Sequence, residues 1–127
     1  MTCHAMDFSV GTHSAQHIRR IVRIYLRQWD MPELTEAAEL AVTELLANVV
    51  RHVPGRRCTL LIVRQDRGVR VEVGDPDPRP LVVRNPEQLD EGGRGLLLVQ
   101  AVTDRWGVRP SPPGKTVWFE CDAKTGT

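Results

Sequence analysis

The chain has little of several residue types and patterns that mark special classes of protein. It has three cysteines, an odd number with no CxxC pair, which argues against a disulfide framework and against a zinc cage. The formal net charge of +1 supplies no broad field that would attract nucleic acid or an acidic membrane surface. No apolar run approaches the ~20 residues of a membrane span, and the N-terminus lacks the pattern of a signal peptide. We therefore expect a cytoplasmic protein with reduced thiols that acts through a local site.

The composition is that of an ordinary globular protein. The 127 residues are 41% hydrophobic and 26% charged, which is typical of a packed soluble domain. Dividing a chain of this length would leave two very small cores, so residues 1–127 are predicted to form one domain. Among the 17 basic residues only Lys115 and Lys124 are lysines. The other basic residues are arginines.

Three segments are predicted to form helices, the first of them from the three-and-four spacing of its apolar residues. The first covers residues 15–29, with Thr12 or Ser14 as candidate capping residue. The second covers residues 32–52 and begins with a proline, whose missing N–H costs nothing at a first helical position. The third covers residues 92–103. The outer face of the first helix carries four arginines, which form either a solvated face or a partner-binding surface.

Five segments are predicted to form strands, at residues 4–10, 59–64, 69–73, 105–108 and 116–121, and the second and third are rich in β-branched residues. The Pro-rich stretch from Asp75 to Glu91 fits no regular element and is predicted to be a functional loop. The order strand, helix, helix, hairpin, loop, helix, hairpin predicts an α/β (α+β) two-layer sandwich, with the helices on one face of a mixed, mostly antiparallel sheet. A doubly wound nucleotide-binding fold is disfavoured because consecutive hairpins supply no parallel strands.

The second helix carries a polar stripe on a largely apolar surface. Glu44, Asn48 and His52 are four residues apart and therefore share one face of the helix. Because this helix is predicted to be substantially buried, the stripe has to meet something polar. Asparagine offers a neutral oxygen to a hard cation, and glutamate can orient or deprotonate a nucleophile. The stripe is either such a site or a structural hydrogen-bond network.

Two further segments have the chemistry of a nucleotide site. One strand ends in Gly74 and Asp75, and such an aspartate either forms a turn or accepts a hydrogen bond from the exocyclic amine of adenine. The glycine-rich segment 92–95 leads into the third helix, whose first N–H groups can hold a phosphate. This segment matches neither a Walker P-loop nor a dinucleotide fingerprint. The segment 114–119 is by itself an ordinary hairpin.

Four segments carry a family resemblance, namely residues 44–52, Gly74-Asp75, residues 92–99 and Gly114-Lys115-Thr116. In order and separation they resemble the N box and the three G boxes of the histidine-kinase-like (GHKL) ATPases. Within that superfamily the chain is most similar to the stand-alone anti-sigma-factor serine/threonine kinases. The resemblance extends from the first strand to Phe119.

The resemblance implies a role for each matching residue. Glu44 would be the base that activates the attacking hydroxyl, and Asn48 would coordinate the Mg²⁺ that bridges the phosphates of ATP. His52 would lie near the phosphates. Asp75 would bind the adenine amino group, with Thr116 close to both. Gly93, Arg94, Gly95 and Leu96 would surround the phosphates with their backbone N–H groups. The side chain of Arg94 would add positive charge.

The same resemblance implies a reaction and partners. The γ-phosphoryl group of ATP would be transferred to a serine or threonine of a STAS-type anti-sigma-factor antagonist, and a sigma factor would be held inactive. A homodimer through the N-terminal strand and helix is also implied. The loop at residues 75–91 would be the ATP lid. It departs from the family pattern, because Pro76, Asp77 and Pro78 stand where glycines are usual and stiffen the hinge.

Two alternative functions stay open at this point. The first is a module that binds ATP and a partner protein but transfers no phosphate. Glu44 favours the kinase, because a pure binder needs no carboxylate beside the metal. The second is a direct nucleic-acid binder that uses the arginines of the first helix, and the near-neutral net charge argues against it.

Overall fold

The computed structural model describes residues 2–79 and 91–124, and for residues 91–94 the backbone alone. Its helices are α1 (Ser14–Gln28), α2 (Thr35–His52) and α3 (Glu91–Val102). Its strands are β1 (Cys3–Ser9), β2 (Arg57–Gln65), β3 (Gly68–Asp75), β4 (Arg105–Ser111) and β5 (Gly114–Asp122). Short 3-10 turns, Pro32–Leu34 and Pro54–Arg56, precede α2 and β2. All predicted helices and strands are present, with ends shifted by a few residues.

The five strands form one sheet in the order β1-β2-β3-β5-β4. Each of these four pairings is antiparallel, so the described sheet is more regular than the mixed sheet that we predicted. The chain leaves β3, passes through α3 to the edge strand β4, and returns as β5 between β4 and β3. The ends of β3 and β5 therefore lie side by side in the centre of the sheet, next to the helix layer.

Alternate residues of the central strands enter one hydrophobic core beneath the helices. On β5 these are Val117, Phe119 and Cys121, each at most 4% exposed. Burial of a side chain such as Phe119 contributes roughly 2–3 kcal/mol. The intervening residues, Glu72 and Glu120 among them, lie on the opposite side of the sheet, which we call the far face. The predicted class, helices packed on one face of a sheet, is confirmed.

Two predicted helix starts are corrected by the structure. Neither Thr12 nor Ser14 caps α1: the cap residue is His13, which makes no side-chain cap bond, and Ser14 Oγ instead accepts the N–H of Gly11 at 2.8 Å. Pro32 opens the 3-10 turn rather than α2. The predicted end of α2 at residue 52 is confirmed.

Within residues 2–79 and 91–124, none of the helices combines the length and the apolar character needed to cross a bilayer.

Candidate functional site

Asn48 lies within α2 on the side that faces the sheet. The residue is 5% exposed, and neither Oδ1 nor Nδ2 has a hydrogen-bond partner among the described residues. Buried polar groups nearly always have a partner, because leaving one unpaired costs about 1–3 kcal/mol. An unpaired amide in this position is therefore a group that a ligand would satisfy.

A small cavity lies beside Asn48, between α2 and the adjacent ends of β3 and β5. Its volume is about 10 Å³, which is room for roughly one water molecule. The polar residues on its wall are Asn48, His52, Asp75 and Lys115, and the rest of the wall is valine and leucine. The fold thus gathers three residues predicted from the sequence, and one that was not predicted, around one point.

The carboxylate of Asp75 is held rigidly at the end of β3. Its side chain is 4% exposed, and Oδ1 accepts the backbone N–H of Asp77 at 2.8 Å and the ammonium of Lys115 at 3.1 Å. The same ammonium donates to the backbone carbonyl of Asp77 at 3.0 Å. Asp75 is therefore a fixed hydrogen-bond acceptor that is paired with a cation from the chain itself.

Lys115 is the residue of this cluster that the sequence prediction missed. It is the register partner of Asp75, and it lies on the core face of β5 together with Val117 and Phe119. Gly114 permits this close approach, because a side chain at that position would clash with the backbone carbonyl of Asp75. The alternation of β5, extended back to residue 114, is the signal that indicates an inward-pointing lysine.

Thr116 lies on the far face, opposite to the cavity. It is the register partner of Gly74, and a methyl group placed on Gly74 would lie 3.4 Å from Thr116 Oγ1 and 2.7 Å from Thr59 Oγ1. Thr116 borders a wider groove of about 400 Å³ that also touches Asp75. The structure therefore places Thr116 behind Asp75 and does not bring its side chain together with Asn48.

Glu44 lies one helical turn before Asn48 and faces α3. A methyl group placed on Gly95 would lie 2.8 Å from Glu44 Oε2, so the carboxylate packs against the backbone of α3. The next residue, Leu96, is buried in the core and anchors this part of α3. The fold thus brings the first residue of the polar stripe, Glu44, to the first turns of α3.

The predicted phosphate-binding segment lies inside α3 rather than ahead of it. Because α3 begins at Glu91, the N–H groups of residues 91–93 are the ones in the helix that lack an i→i−4 acceptor. Gly93 belongs to this set, whereas the N–H groups of Arg94, Gly95 and Leu96 lie beyond it. The side chain of Arg94, and residues 80–90 of the predicted lid, lie outside the described residues.

The first residues of the predicted lid pack on the C-terminal end of α2. Arg79 Nη2 donates to Asp77 Oδ2 at 2.6 Å and to the backbone carbonyl of His52 at 2.6 Å. Hydrogen bonds from Arg79 hold the pKa of the buried Asp77 carboxyl well below its usual range. The His52 residue is exposed, although it borders the cavity. This ion pair therefore fixes the segment that follows Asp75.

The described residues offer a metal few ligands other than Asn48. Within them, no three His, Cys, Asp or Glu side chains lie close enough to hold an ion. The unpaired amide of Asn48 fits a magnesium ion whose other ligands are phosphate oxygens and water, the usual environment of Mg²⁺ at phosphates. The neighbouring thiol of Cys58 is protonated near neutral pH, because burial raises its pKa to about 11.

Comparison with known proteins identifies the class. Residues 9–121 match the family of the histidine kinase-like ATPase domain. The chain is 44% identical over 71 residues to an uncharacterised protein of Streptomyces coelicolor, a match that covers 53% of this chain and 68% of that protein. The chain therefore belongs to the histidine kinase-like ATPase domain family, and such a domain implies ATP binding.

The fold is similar to that of a larger solved structure. The crystal structure of the RsbU and RsbW domains of a Mycobacterium tuberculosis protein matches with a TM-score of 0.66 and 14% sequence identity. The match covers 100% of this chain, which spans 34% of the length of the other chain. At this identity the likeness shows the fold alone.

Proposed function

We propose that the chain binds ATP with Mg²⁺ and transfers the γ-phosphoryl group to a serine or threonine of a partner protein, as an anti-sigma-factor kinase. The observation that carries the proposal is Asn48, a buried amide that has no hydrogen-bond partner among the described residues and that shares a cavity with Asp75. In this proposal residues 1–127 act as one domain in the cytoplasm.

Asp75 supports recognition of the adenine base. A carboxylate accepts a hydrogen bond from the exocyclic amine of adenine, whereas guanine presents a carbonyl oxygen at the same position and would be repelled. Thr116, behind Asp75 on β5, would support the floor of this pocket. The base would enter where the cavity now lies, between α2 and the ends of β3 and β5.

Asn48 and the start of α3 support binding of the phosphates. Asn48 Oδ1 would hold Mg²⁺, which would neutralise part of the phosphate charge. The free N–H group of Gly93 would donate to phosphate oxygens, assisted by the positive end of the helix dipole. Arg94, Gly95 and Leu96 would join it when the first turn of α3 unwinds. His52, one turn beyond Asn48, would lie at the edge of the phosphates.

Glu44 is the proposed general base. It would accept the proton of the substrate hydroxyl while the hydroxyl oxygen forms a bond to the γ-phosphorus. The bond between that phosphorus and the oxygen bridging to the β-phosphate would break, and ADP would leave with the electron pair. Packing against Gly95 supports this role, because it fixes the carboxylate where α2 meets the phosphate-binding turn.

The protein partners follow from the family resemblance. The acceptor would be a STAS-type anti-sigma-factor antagonist, and the protein held inactive would be a sigma factor. Homodimerisation through β1 and α1 belongs to the same proposal, as does the absence of direct nucleic-acid binding.

Calorimetry on the pocket tests the nucleotide site. Asn48→Ala should weaken Mg-ATP binding by about ten- to a hundredfold, the worth of one charge-assisted contact, and should leave the metal-free part unchanged. Asp75→Asn should abolish the preference for ATP over GTP. Gln28→Ala, an exposed amide on α1, is the matched control. Equal binding by all four proteins would refute the site.

Phosphoryl transfer separates the kinase from the alternative, a module that binds ATP without catalysis. Incubation with labelled ATP and the antagonist proteins of the same genome should label serine or threonine. Glu44→Gln should retain nucleotide binding and lose roughly a hundredfold or more in transfer rate, as expected for a general base. Glu36→Gln, at an exposed position of α2, should transfer normally. Binding without labelling in the wild type would favour the module.

A further inference from the structure

The inference concerns Lys115 and rests on the proposed function. A lysine is rarely buried unless it is paired, and here the Lys115 side chain is 6% exposed on the core face of β5. Its ammonium is held by two acceptors, Asp75 Oδ1 and the backbone carbonyl of Asp77. The buried lysine is therefore stabilised by Asp75, the same carboxylate that is proposed to bind adenine.

An ammonium and an adenine amine are both hydrogen-bond donors to a carboxylate. In the structure Asp75 Oδ1 already accepts two bonds, from Lys115 Nζ and from the N–H of Asp77. The cavity at this point has a volume of about 10 Å³, whereas small-molecule pockets are usually roughly 300–1,000 Å³. On the core side of Asp75, where this cavity lies, a base cannot enter unless the lysine side chain moves.

We infer that Lys115 is an internal competitor for the adenine position and sets the affinity of the site for nucleotide. With its ammonium on Asp75, the pocket is closed. When the lysine leaves, its ammonium loses hydrogen bonds to two acceptors, and the adenine amine replaces only one of these bonds. The cost of the bond that is not replaced lowers the observed affinity for nucleotide. The segment held by Arg79 adds to the closure, because it positions the Asp77 carbonyl that accepts from Lys115.

The first test removes the ammonium and keeps an unbranched side chain that is one atom shorter. Lys115→Met should bind Mg-ATP at least roughly tenfold more tightly than the wild type, because no ammonium then competes for Asp75 Oδ1 on the cavity side. Lys124→Met is the matched control, since Lys124 is the other lysine of the chain and is exposed. Its affinity should not change.

The outcomes separate the two proposals. If the wild type binds Mg-ATP and Lys115→Met binds it equally or more weakly, the competitor role is refuted and the proposed function stands. If neither the wild type nor the variant binds any nucleotide, the proposed function fails and the competitor role fails with it.

The second test uses the wild-type chain and so does not depend on the folding of a variant. Labelling lysine with ¹³C at Cε gives two side-chain signals in an NMR spectrum, which Lys124→Arg assigns. Saturation with Mg-ATP should move the Lys115 signal to the position typical of an exposed lysine, while Mg²⁺ alone should leave it in place. A Lys115 signal that stays unchanged when ATP binding is saturated would overturn the inference.

Discussion

Polar groups cluster in two regions of the same central strands, and the two regions differ in how completely these groups are paired. On the far face, Arg70 donates to Glu72 at 2.8 Å and to Glu120 at 2.9 Å. Glu120 also accepts from Arg105 at 2.7 Å and from Gln65 at 2.8 Å. The charged groups of this lattice thus satisfy one another at a partly buried surface, which is typical of a structural network.

At the end of these strands that the helices cover, some polar groups lack hydrogen-bond partners within the described part of the chain. Asn48 has no hydrogen-bond partner among the described residues, and the buried Asp75 depends on a lysine that the fold brings in from β5. The comparison teaches that polar residues in a small domain stabilise it where they are mutually satisfied. Where they are left unpaired, a ligand is the natural partner.

Breaking the buried pair should have the largest effect. Asp75→Ala would leave the ammonium of Lys115 buried without a counter-charge, and should lower the free energy of unfolding by about 3–5 kcal/mol. Urea denaturation measures this loss. The double variant Asp75→Asn with Lys115→Met should recover most of it, because no buried charge then remains. A loss below about 1 kcal/mol would show that the pair behaves like a surface ion pair.

Removing the unpaired amide should have the opposite sign. Asn48→Leu should raise the free energy of unfolding by about 1 kcal/mol, since it removes two unsatisfied polar atoms, while Mg-ATP binding is lost. Thr43 on the same helix is the contrast, because its hydroxyl donates to the carbonyl of Glu39 at 2.7 Å and accepts from Arg19 at 3.2 Å. Thr43→Val should lower stability by about 1 kcal/mol. Thermal and urea unfolding of both variants would show whether the signs differ.

The far-face lattice should reveal itself as a dependence of stability on pH. Hydrogen bonds from Arg105, Gln65 and Arg70 lower the pKa of Glu120 to about 2, whereas an unfolded glutamate titrates near ~4.3. The stabilisation is therefore complete above about pH 4.3 and is lost as the pH falls toward 2. Glu120→Gln should cost about 1 kcal/mol at pH 7, because Arg105 is half-exposed and solvent screens the pair. Urea unfolding at several values between pH 6 and pH 3 should show this difference shrinking, and a constant difference would contradict the assignment.

The smallest effect is expected at a fully hydrated pair. Asp7 Oδ1 and Arg57 Nη2 are 3.0 Å apart on β1 and β2, but their side chains are 62% and 61% exposed. Asp7→Ala should therefore change the free energy of unfolding by less than about 0.5 kcal/mol. A larger loss in the same urea assay would mean that this edge of the sheet carries a stabilising network after all.

Most of the fold was predictable because the periodicity of apolar residues differs between helix and strand. Residues of α2 repeat at three and four, and those of β3 alternate, so both elements follow from local pattern. The start of α1 was mispredicted because Ser14 uses its hydroxyl to accept the N–H of Gly11, a local bond that competes with capping. The four antiparallel pairings depend on long-range order, which local pattern does not specify.

The site was predictable where a residue type is unusual in its place, as Asn48 is on a buried helix. Lys115 was missed because a lysine in a turn is normally exposed, and because the strand was predicted to begin at Thr116, two residues after its start at Gly114. Since neighbouring residues of a strand point to opposite faces, Lys115 faces the cavity and Thr116 lies behind it. The assignment of Thr116 to the adenine pocket remains a prediction.

The register of β3 and β5 has a dynamic consequence. Asp75 and Lys115 are opposite each other at the end of one ladder, where backbone hydrogen bonds hold their Cα positions. In the role inferred for Lys115, the pocket would open and reclose without fraying of the sheet, and amide protons along this ladder should resist exchange with solvent in either state. Access to the site would then be governed by the rotamers of a single residue rather than by the separation of a strand.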